Sequence, residues 1–190
     1  MTGRRWQRTL VGGAIGLLVA GCGGAVQEWA KPGAGRITRL AVVPFDNQTP
    51  APRAGAVASD LIVSELLATG LAAVADPSEV SEALRRENLE PAEPGRLPSA
   101  QRIGRLLQVS HVMQGSVTEY RYKPGLSEVP VVGMSARVVD VASGEVVWTA
   151  THARSGSNWL AEDGLARVAQ AIAREMAQHL TGALGGAGAR

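Results

Sequence analysis

The chain has 190 residues, 45% of them hydrophobic, with 19 basic against 17 acidic side chains. That length suits one domain with tails and suffices for a single filled core. Near-balanced charge gives no reason to expect nucleic acid or another polyanion as partner, and a single cysteine excludes an internal disulfide and any metal site built on several thiolates.

The chain opens with Arg4, Arg5 and Arg8 and runs apolar from Leu10 to Ala20, ahead of Gly21 and Cys22. A basic start, a short apolar stretch and small closing residues predict a secretory signal over 1–21. The stretch is shorter than the ~20 residues of a permanent span. Residues 19–22 resemble the bacterial lipobox, in which the chain is cut between Gly21 and Cys22 and the cysteine receives lipid. The mature chain would keep 169 residues, with 16 basic and 17 acidic groups. Gly23 stands where an aspartate tends to retain such lipoproteins at the inner membrane, so the resemblance implies sorting to the outer membrane. Residues 22–36 are rich in Gly and Ala and read as a lipidated tether, at most ~45–50 Å long when extended. Trp29 reads either as an indole at headgroup level or as the edge of the fold.

The folded domain is expected over 37–182. The apolar run 40–43, closed by Pro44, predicts a strand buried on both faces, and 46–50 a loop. Val57, Leu61, Ile62 and Leu66 recur at helical spacing up to Gly70. A short strand is expected over 71–74. Asp76 then caps a helix with Pro77 in its first turn. Three prolines make 89–98 irregular. Ser99 is expected to cap a helix carrying Ile103, Leu106 and Leu107, and 111–122 to form a strand. Val132, Met134, Ala136 and Val138 alternate with their neighbours, as do Val146, Trp148 and Ala150, which predicts a hairpin turned at Ser143-Gly144. Leu165, Val168, Ala169, Ile172, Met176 and Leu180 share one face of a closing helix, and 183–190 read as a flexible tail. The order β-α-β-α-α-β-β-β-α implies an α/β (α+β) fold: one mixed sheet of about five strands flanked by helices.

Three stretches carry a resemblance: 40–47 (LAVVPFDN), 103–117 (IGRLLQVSHVMQGSV) and 137–148 (RVVDVASGEVVW). Together they resemble the periplasmic α/β domain shared by the CsgG, LpoB and PelC lipoproteins and the N-terminal domain of TolB. CsgG-type members add membrane hairpins, for which 123–131 is too short. LpoB-type members carry a long tether. PelC-type members are compact, short-tethered rings, and this chain resembles those most in architecture. The resemblance implies a non-catalytic outer-membrane lipoprotein facing the periplasm. It would be held by lipid on Cys22, act with an envelope protein partner or in a homo-oligomeric ring, and assist assembly or export of an envelope polymer. The alternative it implies is activation of a peptidoglycan synthase.

No phosphate loop, nucleophile elbow or HExxH pattern is present, so no catalytic residue, cofactor or metal is expected. His111 reads as a core or edge histidine, and Glu175 with His179 as an exposed pair one helical turn apart. Asp46 reads as an Asx-turn residue. Glu87, Glu90 and Glu93 read as a solvated acidic edge. Trp159 and Leu160, in a polar glycine-bearing loop, read either as a membrane or partner anchor or as a hydrophobic staple for the last helix.

Overall fold

A computed structural model describes residues 25–71, 73–89, 99–124, 128–156 and 164–185. Its centre is the run of alternating and β-branched residues in the second half of the chain. Strands β4 (His111–Lys123), β5 (Val129–Asp140) and β6 (Val146–Ser155) form an antiparallel meander. Asp140 closes the β5–β6 hairpin. Its Oδ1 accepts from the Ser143 amide at 2.7 Å and from the Ser143 hydroxyl at 2.9 Å. These bonds, the backbone one foremost, hold the Asp140 carboxyl below its ordinary range.

On the other side of β4 lie two short parallel strands, β2 (Leu40–Val42) and β3 (Asp46–Asn47). On the far edge, beyond β6, strand β1 (Val26–Ala30) pairs antiparallel, Val26 opposite His152 and Ala30 opposite Trp148. Among the described residues the sheet has six strands in the order β1-β6-β5-β4-β2, with β3 also on β4.

Helices α1 (Ala54–Ala68) and α4 (Leu165–Leu184) cover one face and pack on each other. The face shared with them holds the larger core, including Phe45, Ile62, Met113, Trp148 and Ile172. Glu65 is buried in the α1–α4 seam, where Arg174 and Gln170 donate to it at 3.2 Å and 3.1 Å. The Arg174 bond lowers its pKa against the opposing cost of burial. Helices α2 (Pro77–Arg86) and α3 (Ala100–Leu106) cover the second face near β2 and β4, over a smaller core with Val80, Leu84 and Ile103. The expected caps are present: Asp76 accepts from Ser78 N, and Ser99 from Arg102 N.

Phe45 explains two of the glycines. A Cβ on Gly115 would lie 2.4 Å from the Phe45 ring, and one on Gly55 would lie 2.0 Å from the Phe45 carbonyl oxygen. Both contacts are far inside van der Waals distance, so the strand–turn–helix corner closes only with glycine at these positions.

The mixed sheet flanked by helices agrees with the sequence expectation; residues 46–47 of the expected loop pair with β4 as β3, and three further details differ. The stretch 22–36 is not a tether throughout, because 26–30 form β1. Backbone pairing with β6 and a carboxylate contact from Glu28 to His152 hold it down. The expected strand at 71–74 reduces to one parallel bridge, Leu40 to Val74. The domain also continues past 182. Leu184 is buried at the end of α4, and its carbonyl accepts from Ile37 N.

Candidate functional site

The most chemically distinctive constellation among the described residues lies where β1, β6 and α4 meet. Alternation along β6 turns Trp148, Ala150, His152 and Arg154 toward α4. Glu28 of β1 joins them from the neighbouring strand, and Glu175 and His179 come down from α4. His152 is buried, with Nε2 at 2.7 Å from Glu28 Oε1 and Nδ1 at 3.5 Å from Glu175 Oε2. Arg154 donates to Glu175 Oε1 at 2.6 Å. His179 Nδ1 accepts from Trp148 Nε1 at 2.9 Å, and its Nε2 stands 3.5 Å from Glu28 Oε2. The expected exposed Glu175–His179 pair is therefore corrected: Glu175 serves Arg154 and His152, while His179 serves Trp148 and Glu28. No local spacing announces this cluster, because its members come from three elements. The one legible signal is that Trp148 and His152 share a face of the same predicted strand.

The cluster fastens β1 and α4 to β6 through side-chain hydrogen bonds. No group of three His, Cys, Asp or Glu among the described residues can hold a metal ion. A cavity between β2, α1 and α2, lined by Val42, Pro44, Ser59, Asp60, Val63 and Ser81, measures about 230 Å³, below the usual ligand-site range. No described helix is long and apolar enough to cross a membrane.

His111 is a core histidine, 1% exposed, with Nδ1 at 2.9 Å from Ser110 Oγ and Nε2 at 3.6 Å from Asp140 Oδ2. Burial lowers its pKa, against the pull of Asp140. The turn expected at Asp46 is made by its neighbour. Asn47 Oδ1 accepts from the Thr49 amide and hydroxyl, while Asp46 accepts from Gln48. Glu87 pairs with Arg102 at 3.7 Å.

Trp29 lies on β1 opposite Thr149, 48% exposed. It alternates with Glu28 and Ala30, which face α4 and the larger core, so its indole belongs to the other face of the sheet. That face is polar beyond the reach of α2 and α3. Ser116 and Ser135 share a hydrogen bond of 2.9 Å, and Arg137 donates to Gln114 at 3.2 Å. Gly21, Cys22, Trp159, Leu160, Glu90 and Glu93 lie outside the described residues.

No known family model matches the chain, and no curated protein matches its sequence. Solved structures do. The PelC dodecamer from Paraburkholderia phytofirmans is similar at 29% identity, over 86% of this chain and 99% of that chain, with a TM-score of 0.60. A point variant of the same dodecamer gives 29% identity, the same coverage and a TM-score of 0.62. The lipoprotein GNA1162 from Neisseria meningitidis is similar in fold, at 22% identity over 74% of this chain and 99% of that chain, with a TM-score of 0.58. The likeness to PelC supports a non-enzymatic accessory role. Matched over 99% of the PelC chain, the protein folds as a PelC-like α/β domain.

Proposed function

We propose that this protein is a non-catalytic lipoprotein of the outer membrane, facing the periplasm through lipid on Cys22. It works as an assembly or export accessory for an envelope polymer, in a ring of identical subunits. The observation that carries this reading is the 29% identity to a dodecamer-forming protein across 99% of its length. The lipobox-like run 19–22 supports the anchor. The exposed Trp29 beside a polar sheet face supports a contact surface for membrane or partner, with Trp159 and Leu160 as its proposed companions. A single fourteen-carbon chain holds a protein only marginally, so stable anchoring needs more than one acyl chain.

Cys22→Ser tests the anchor. The wild type is expected in the membrane fraction and the variant in the soluble fraction; a variant still in the membrane would refute the assignment. Light scattering on the released variant tests the ring. A mass of many subunits is expected, and a monomer would refute it. A peptidoglycan synthase recovered with the wild-type protein would favour the activator reading instead.

A further inference from the structure

His179 offers one ring nitrogen to the core and the other to the edge strand. An indole N–H only donates. The Trp148–His179 bond of 2.9 Å therefore exists only while Nδ1 carries a lone pair, which puts the ring proton on Nε2, toward Glu28. A doubly protonated ring would set Nδ1–H against the indole N–H. Trp148 is fully buried, so its ring has no solvent to turn to. His179 itself is 35% exposed, so a proton from solvent reaches it.

The charged groups around this ring come from every element packed there: Glu28 from β1, His152 and Arg154 from β6, and Glu175 from α4. Glu175 is occupied by Arg154 at 2.6 Å. Glu28 already meets His152 through Oε1, and its Oε2 faces His179 at 3.5 Å, within a small shift of hydrogen-bond length. We propose that His179 is a proton-operated selector. Neutral, it is bonded to Trp148 in the core; protonated, it releases the indole and closes on Glu28 of the edge strand. Acidification then loosens one bond between α4 and β6 and tightens the hold on β1.

The test uses the full-length protein in detergent, labelled with ¹⁵N-histidine and ¹⁵N-tryptophan, titrated from about pH 8 to about pH 5, the range in which histidine changes charge. At the upper end His179 should show the Nε2–H tautomer and Trp148 a protected indole proton. Both signals should move with one midpoint. Indole exchange, corrected for its intrinsic pH dependence, should quicken by at least about tenfold as the bond opens. His179→Gln can accept from Trp148 and donate to Glu28 without titrating, so its Trp148 signal should stay constant with pH. Glu28→Gln should keep the indole release but lose the rise in β1 amide protection on acidification. An Nδ1–H tautomer at about pH 8 would overturn the proposal. So would a His179 titration that leaves Trp148 unmoved, or a pH response that survives in His179→Gln.

Discussion

At its β2 end the sheet has helices on both faces, α1 on one and α2 with α3 on the other; at its β1 end, among the described residues, α4 covers it on one face. The two ends solve burial differently. The covered end reads as uninterrupted apolar sequence, Leu40 to Val43, and its buried histidine, His111, is held as a core residue with lowered pKa. The one-sided end reads as alternation. Its inner face closes through a polar cluster of Glu28, His152, Glu175 and His179, and its outer face carries the exposed Trp29. Packing on both faces fixes one end; packing on one face together with the polar cluster fixes the other.

Substitutions can break this contrast, starting with the largest effect. Trp148→Ala removes a fully buried indole and the partner of His179 at once, and should cost about 3–5 kcal/mol in urea unfolding. Recovery of most of that stability would show that the one-sided end does not depend on its core. Gly115→Val drives a side chain into the Phe45 ring and should cost about 1–3 kcal/mol. An unchanged urea midpoint would mean the Phe45 corner opens freely.

His111 supplies a pH test of the covered end. Its pKa is lowered in the folded state by burial, so between that value and the unfolded value of about 6.5 the unfolded chain binds more protons. The associated stability is complete above about pH 6.5 and is lost as pH falls through the folded value. His111→Gln should flatten the fall of the urea midpoint on acidification, and an equally steep fall would place its origin in other groups, such as the lowered Glu65 and Asp140 carboxyls. Ser99→Ala removes a long cap bond of 3.5 Å and should cost about 0.5 kcal/mol. Trp29→Ser should change stability least, within about 0.5 kcal/mol, while weakening vesicle binding if the indole meets the membrane.

What the sequence disclosed follows the same division. Alternation in β5 and β6, the run at Leu40, the Asp76 and Ser99 caps and the buried stripe of α4 were all readable, because each is a periodicity or a local bond. Strand β1 was not readable. Four of its five residues are exposed, and its stability comes from β6 and from Glu28 meeting a histidine far along the chain. Strand β3 has two residues and no period to detect. At 71–74 the apolar pattern is real, but Leu40 offers the segment only one residue's worth of pairing: it donates to Ala73 O and accepts from Ala75 N. The histidine cluster was invisible for the same reason as β1, since it exists only after three elements have met.

The place of β1 also sets an order of folding. Glu28 meets His152 across 124 positions of chain, and Trp29 pairs with Thr149. A chain emerging N-terminus first has its earliest described strand waiting for β6, and the cluster beneath waits longer still, for α4. Such distant pairing is slow to close and comes late. The meander of neighbours β4, β5 and β6 can assemble first, with β1 as the last strand to seat. The edge of the sheet is thus the last part to be sealed, after the rest has condensed.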